Sequence, residues 1–356
     1  MTDLKGYQQD KLTIAVLGSH SALEVCRGAK DEGFPTLVIC QKGRERTYAE
    51  HFRTRGSGRE GNEEGVVDDV IVLEKFVDIL KPAVQQQLRK RSAVFVPHRS
   101  FVVYLHDYDA IERFSVPMLG SRSLLRYEER ELQLGLLKQA KIRTPKTFKP
   151  SEIDRPVIVK LQEGIERGFF VCSSPKEYSA AMKGKVRAGG AKNAKPLIEE
   201  FVAGPPVNLN YFYSPLKKRV ELLGTDTRRQ TNLDGLYRIP FSHGIPATFE
   251  EAGHISVTVL ESMLESAFSM GERFVEASRK EKAPGIIGPF ALQGAITSFP
   301  KEFVIFDVSL RMPGSPGTQY TPYTQYLHGK GVSAGRRLAM ELRSAVEQGR
   351  LPEVLT

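Results

Sequence analysis

LIEEFVAG, residues 197–204, closes an apolar run with two carboxylates, Glu199 and Glu200, and leaves through a Phe-Val-Ala-Gly bend. A strand that ends this way offers backbone groups to the edge of a flat base such as adenine, and a carboxylate to the hydroxyls of a ribose. Upstream, PVIVK (156–160) reads as a second strand ending in Lys160, followed by the glycine-bearing turn GIERGFF (164–170). A lysine there either reaches over the sheet to a phosphate or carries its charge from the strand end into water. Downstream, FALQGAIT (290–297) and FVIFDVSLRMPGSPG (303–317) read as adjacent strands. Alternation puts Ser309 and Arg311 on the face of Asp307, with Gln293 able to converge on it. That face reads either as an oxygen set for Mg²⁺ beside a cation or as the polar outer side of an antiparallel strand. Mg²⁺ keeps several waters and needs only one or two protein oxygens beside phosphates.

Towards the N-terminus, LTIAVLGSHSALEV (12–25) is a strand, a turn at Gly18 and a helix start. Leu12–Leu17, a helix over Ala22–Asp31 and a strand over Thr36–Cys40 make one βαβ unit. A strand over Asp69–Leu73, a helix over Phe76–Arg91 and a strand over Ala93–Val96 extend it, so the first ~115 residues are Rossmann-like in layout. Ser21 and Glu24 have the S-x-x-E spacing of a capping box, which leaves His20 without a structural task. It is either a surface histidine on a turn or a ligand contact at the carboxyl end of the sheet, with Arg99 and Ser100 as the matching wall. As a contact it orients a substrate by hydrogen bonding or, protonated, pairs with a phosphate. RTRGSGREGNEEG (53–65) has no apolar anchor and is expected to be a mobile surface loop.

From Ser121 the pattern changes to a charged helix, RSLLRYEERELQLGLLKQA (122–140). A strand over Pro156–Leu161, a helix over Pro175–Lys183 and a strand over Leu197–Val202 then form a small α+β module. From Val207 onward mostly two-period strands predict an antiparallel sheet, flanked by helices over His254–Phe274 and Ser333–Gln348. The expected division is 1–120, 121–205 and 206–356.

With 356 residues and 40% hydrophobic content, the chain can bury several shared cores. Its net charge of +9 is scattered as RERTYAEHFRTR, LRKR and LKKR. That suits a cleft gathering anionic small molecules, and no aromatic-rich basic patch argues for nucleic acid. Cys26, Cys40 and Cys172 show neither metal nor disulfide spacing and read as reduced core residues of a cytoplasmic protein. MTDLKGYQQDK lacks a signal-peptide core, and no run approaches the ~18 apolar residues of a membrane span, so no membrane partner is expected.

The order strand lysine, E-E-F-V bend and acidic-x-polar-x-Arg strand resembles the ATP-grasp superfamily. GSHSAL (18–23), KDEGF (30–34), PHRSF (97–101), FSVPMLGSRSLLRYEER (114–130), FYSPLKKRVELLGTDTRRQTNLDGLYRIP (212–240) and PGIIGPFALQ (284–293) resemble, over nearly the whole chain, the archaeal formate-dependent synthetases of purine biosynthesis. That family converts 5-aminoimidazole-4-carboxamide ribonucleotide (AICAR), with formate and ATP, into the 5-formamido ribonucleotide.

The resemblance implies an α/β and α+β chain, an ATP-grasp fold behind an N-terminal Rossmann-like domain. It implies that His20 and Ser100 contact the ribonucleotide, and that Lys160, Glu199, Glu200, Phe201, Val202 and Gln230 bind ATP. Gln293 and Asp307 would hold Mg²⁺ or Mn²⁺, and Lys160 and Arg311 would neutralise charge on the transferring phosphoryl group. It also implies a homo-oligomer and a formyl phosphate intermediate that the 5-amino group attacks. Ser309 stands where the superfamily usually has Asn, and MPGSPGTQY where the family has a run richer in Gly. In EEAGHISVTVLESML (250–264), His254 and Leu260 replace Asn and Arg. Asn to His keeps a donor or acceptor for substrate, whereas Arg to Leu deletes a charge. Two rivals stand beside this reading: an ATP-grasp ligase joining another carboxylate and amine, and a nucleotide sensor or basic RNA-binding protein that has lost turnover.

Overall fold

The computed structural model describes residues 3–56, 64–163, 166–187, 196–230 and 252–356. The chain forms two compact units: Met1–Lys141 with Val207–Gln293 and Asp307–Thr356, and Ile142–Pro206 with Gly294–Phe306. The segment expected at 121–205 thus contributes its first part to one unit and the rest to the other.

The first unit opens with β1 (Thr13–Leu17), α1 (Ala22–Asp31), β2 (Thr36–Gln41), β3 (Asp69–Leu73), α2 (Pro82–Lys90) and β4 (Ala93–Phe95). The strands are parallel in the order β3-β2-β1-β4, with Ile14 opposite Thr36 and Thr13 opposite Ala93. Ile14, Ala15, Val16 and Leu17 are all fully buried. Burial on both faces is why β1 reads as a continuous apolar run rather than an alternation.

The helix expected over 76–91 is divided. Phe76–Leu80 is a 3₁₀ turn, Lys81 is extended, and α2 begins at Pro82. Proline's ring bars the preceding residue from the helical region, and its missing N–H costs nothing at the first helical position. The helices α3 (Arg99–Leu105), α4 (Tyr108–Glu112) and α5 (Arg130–Gln139) follow. The expected helix over 122–140 is likewise a 3₁₀ segment, Arg122–Glu128, and an extended Glu129 before α5. Residues 57–63 of the expected 53–65 loop lie outside the described residues; on either side Arg53 bridges to Val67 and Arg55 to Glu64.

The second unit is a three-stranded antiparallel sheet of β5 (Val157–Glu163), β6 (Glu166–Cys172) and β7 (Leu197–Glu200) in the order β6-β5-β7, with α6 (Pro175–Arg187). The expected turn over 164–170 is strand from Glu166 onward, because that residue already pairs with Glu163. Val157, Val159 and Ile198 form its small core with Ile153 and Cys172.

The chain continues with β8 (Pro206–Ser214), β9 (Arg219–Arg229), β10 (Gly253–Ser256), α7 (Leu264–Glu281), β11 (Gly288–Ile296), β12 (Phe303–Ser309), α8 (Tyr323–His328) and α9 (Ala334–Glu347), all in the first unit except residue 206 of β8, 294–296 of β11 and 303–306 of β12, which belong to the second. The sheet order is β10-β9-β8-β11-β12. The helix expected from His254 begins only at Leu264. His254 lies in β10, in antiparallel register with β9, where the β-branched run after it favours an extended chain. α1 packs on α9 so closely that a Cβ on Gly28 would stand 2.1 Å from the Arg336 nitrogen.

The expected capping box at Ser21 and Glu24 does not form. Ser21 Oγ donates to the Pro313 carbonyl at 2.7 Å, and Glu24 accepts from the Gly335 N–H at 3.3 Å. Tertiary acceptors have displaced the local ones. Cys26, Cys40 and Cys172 are free and buried. No helix among the described residues is long and apolar enough to cross a membrane.

Candidate active site

Alternation along the antiparallel sheet separates two chemistries. Leu209 and Tyr211 of β8 are fully buried; Tyr211 stacks on Phe290 at 4.9 Å between ring centroids and donates to the Ala267 carbonyl of α7 at 2.8 Å. Residues two apart on the other face are polar: Asn208 and Asn210 on β8, Asp226 and Arg228 on β9. His254, Gln293 and Ser309 continue that face on β10, β11 and β12. All but Asp226 line one small cavity, whose remaining wall comes from loops after β1, β4 and β12 through His20, Arg99, Arg311 and Gly314.

Asp226 is the anchor of this face. It is 1% exposed and accepts from Asn208 Nδ2 at 2.9 Å, Asn210 Nδ2 at 2.6 Å and His254 Nδ1 at 2.5 Å. Burial pushes its carboxyl up, but the three donors outweigh it and hold the pKa below the usual range. Beside it, Arg228 Nη2 donates to Gln293 Oε1 at 2.5 Å, and Gln293 Nε2 donates to Ser309 Oγ at 3.0 Å. Arg311 Nε lies 3.2 Å from Glu128, which also takes the Leu310 N–H at 2.8 Å. Burial presses Glu128 up and Arg311 down while their mutual attraction opposes both shifts. The guanidinium keeps its proton, being too basic to lose it in a protein.

His20 adopts φ +52°, the left-handed region that a side chain rarely occupies. Its Nδ1 is 2.7 Å from Ser21 Oγ, whose own hydrogen goes to Pro313, so Nδ1 carries a proton and donates. The ring stacks on His98 at 5.5 Å. Although the turn is open to solvent, desolvation of the ring and then His98, Arg311 and Arg99 push its pKa far below the ordinary value. A neutral ring favours the hydrogen-bonding role over pairing with a phosphate.

Ser100 is buried at the start of α3 and is not part of the cavity wall; its N–H donates to His98 Nδ1 at 3.2 Å. His98, fully buried, spends Nε2 on the Leu17 carbonyl at 2.9 Å, and Arg99 is the residue of PHRSF that faces the cavity. Asp226, Asn208, Asn210 and Arg228 escaped the reading of the sequence. Their signal was the two-residue period of NLN and DTR, visible only once those strands are known to be neighbours.

Asp307 does not line the cavity. With the Gln133 amide oriented to satisfy both its ends, that amide donates to Asp307 at 3.1 Å. Among the described residues, no three His, Cys, Asp or Glu side chains stand together as a metal-ligand group.

In the second unit, Lys160 Nζ is 2.6 Å from Glu199 Oε2 and lies over the Phe306 ring. Glu199 is fully buried. Glu200 takes the Lys146 N–H at 3.2 Å, and the Phe201 N–H goes to the Pro156 carbonyl at 3.1 Å. Phe201 is exposed and Val202 partly so. Gln230 is exposed just past β9, and Leu260 is exposed before α7.

Comparison with known proteins gives this arrangement its relatives. A family model described as a domain of unknown function, DUF1297, matches residues 176–356, and one described as a protein of unknown function, DUF1246, matches 14–148. A 5-formaminoimidazole-4-carboxamide-1-(beta)-D-ribofuranosyl 5'-monophosphate synthetase of Methanothermobacter thermautotrophicus is 42% identical, over 99% of this chain and 97% of its own. The crystal structure of an IMP biosynthesis protein, PurP, from Thermococcus kodakaraensis is 30% identical, with a TM-score of 0.75 over 96% of this chain and 100% of its own. The N5-carboxyaminoimidazole ribonucleotide synthetase of Thermotoga maritima, at 16% identity, has a TM-score of 0.58 over 94% of this chain and 76% of its own, a likeness of fold alone. The fold these chains share is ATP-grasp.

Proposed function

The chain belongs to the family of 5-formaminoimidazole-4-carboxamide ribonucleotide synthetases, and on that premise we propose that it is the ATP-dependent carbon–nitrogen ligase that formylates the 5-amino group of AICAR in purine biosynthesis. The observation that carries this reading is the first unit's cavity. Arg99, Arg228 and Arg311 bring three guanidinium groups to its lining with His20 and Asn210, a charge and donor set that suits a phosphate-bearing, amide-rich ring and a small carboxylate.

Formate is a poor acyl donor because its leaving group would be oxide. Attack of a formate oxygen on the γ-phosphate of ATP releases ADP and gives formyl phosphate, whose phosphate is a good leaving group. The 5-amino nitrogen then forms its bond to the formyl carbon and phosphate departs. Lys160 and the Glu199–Val202 bend of the second unit take ATP, Lys160 as a point charge on phosphate and the bend through its backbone. Gln230 supplies a further nucleotide contact. Arg311, kept charged in a buried site, stabilises charge on the transferring group. His20 and His254 hold the ribonucleotide from the cavity, and Ser100 supports them from behind its wall at the start of α3.

We assign Gln293 and Asp307 as the candidate holders of Mg²⁺ or Mn²⁺, but as arranged they do not fit the ion, because Arg228 occupies the Gln293 oxygen. The same reading makes the chain a homo-oligomer of the cytoplasm, where its three buried thiols would stay reduced.

His254 and the exposed Leu260 favour, as the second reading, a ligase for another carboxylate and amine. Incubation with ATP, formate and AICAR, followed by chromatography, is expected to yield the formamido ribonucleotide with ¹⁸O from labelled formate in phosphate. Product without label in phosphate overturns the acyl phosphate route. Turnover only with other carboxylate and amine pairs establishes the second reading, and no turnover with any pair makes the chain a binding protein.

A further inference from the structure

Asp226 and His254 form a pair that substrate binding alone does not require. The strand register sets Asp226 opposite Ser256 and His254 opposite Arg228, so the two are diagonal neighbours on one sheet face. Asp226 is buried and fixed by two asparagines as well as the imidazole. With Nδ1–H donated to a carboxylate, the neutral imidazole's Nε2 is its basic nitrogen, and the carboxylate stabilises the imidazolium formed when it takes a proton. A second observation points to a hydrogen-bond donor of a ligand beside the pair. Asn210 is 1% exposed and spends its amide nitrogen on Asp226, and its Oδ1 has no hydrogen-bond partner among the described residues. An N–H donor from a ligand satisfies it.

We infer that His254, oriented by Asp226, is the general base that takes the proton from the attacking amine, and that Asn210 Oδ1 orients that amine. This rests on the ligase reading above. The amine's electron pair forms the C–N bond to the formyl carbon of formyl phosphate. The C–O bond to phosphate breaks, with its pair leaving on phosphate. The proton on nitrogen passes to His254 Nε2, and Asp226 carries the countercharge. An amine conjugated with a heteroaromatic ring is a weak nucleophile, so removing its proton as the bond forms is where a base gains most.

Groups facing the imidazole come from four sides: Asp226 and Arg228 on β9, Ser315 and Arg311 after β12, His20 after β1 and Arg99 after β4.

The test is steady-state formylation across acidic to basic pH for the unmutated chain, His254→Gln, Asp226→Asn, and His254→Ala with added imidazole, each with a melting curve. His254→Gln is expected to lower kcat about 100-fold, with little change in KM for the ribonucleotide, and to lose the acidic limb of the profile. Imidazole should restore part of the His254→Ala loss. A rise in KM with kcat and limb unchanged reduces His254 to a contact and overturns the inference. If Asp226→Asn melts early, His254→Gln decides alone, since it leaves Asp226 its two asparagine donors. Absence of product from the unmutated chain overturns the ligase reading and the inference with it; product there with an unaltered limb in His254→Gln overturns the inference alone.

Discussion

The His20 ring lies directly against Gly314: a Cβ built on that glycine would stand 2.6 Å from His20 Nε2. The two residues belong to loops far apart in the chain, and the contact sets how deeply the imidazole can enter the cavity. Gly314→Ala therefore displaces the ring rather than the backbone. We expect KM for the ribonucleotide to rise about 10-fold, a change of roughly 1.4 kcal/mol, with the melting temperature nearly unchanged. Unaltered ribonucleotide binding, measured by calorimetry, would remove His20 from the site.

Stability should fall in mild acid through His98. Burial holds its pKa down at about 4, against an ordinary 6.5. Above pH 6.5 the ring is neutral in both folded and unfolded chains. Between 6.5 and 4 only the unfolded chain takes the proton, so its contribution is lost as pH falls, by about 3 kcal/mol in total. Urea midpoints at neutral and acidic pH should converge in His98→Asn relative to the unmutated chain; an equally steep pH dependence in both refutes the assignment.

Removing Lys160 takes from the fully buried Glu199 the ammonium that lies 2.6 Å from its Oε2. Lys160→Met should cost about 2 kcal/mol, less than the full price of orphaning a buried charge because the lysine side chain is 30% exposed. Lys160→Met with Glu199→Leu should recover most of that loss while ATP binding stays weak. Additive urea midpoints across the double-mutant cycle would mean the pair is not coupled.

Gly28 is a close-approach glycine. Its Cβ would meet the backbone of α9, which cannot step aside as a side-chain tip can. Gly28→Ala should destabilise by about 2–3 kcal/mol, read as a lower melting temperature; a variant as stable as the parent would contradict the α1–α9 contact.

With Gln293 as the proposed metal ligand, Arg228 and a divalent cation would compete for its oxygen, which now accepts from the guanidinium. Arg228→Met removes the guanidinium and should tighten Mn²⁺ binding about 10-fold, a gain of roughly 1.4 kcal/mol, followed by electron paramagnetic resonance without nucleotide. Unchanged or weaker binding argues against Gln293 as a ligand.

The elements best read from the sequence were those whose signal is local. α1 spans Ala22–Asp31 as its periodicity implies, and β3 spans Asp69–Leu73. Errors arose where neighbours outweighed propensity. His254 begins an amphipathic stretch that a helix pattern fits, but β9 offers a ladder and takes it. Ser21 and Glu24 have capping spacing, but Pro313 and Gly335 capture them. Lys160 and Glu199, read separately as nucleotide contacts, proved to be each other's partners across β5 and β7.

Sequence alone determined the parallel N-terminal sheet, the antiparallel sheet behind it and the family, because strand period, helix period and motif order are properties of contiguous residues. Only the tertiary structure decided which polar side chains share the cavity. Asp226 and His254 are 28 residues apart and Ser21 lies 292 from its acceptor. The first pair depends on strand register, where one residue of slip would send each side chain to the opposite face of the sheet, and the second on where the loop after β12 is brought by the fold.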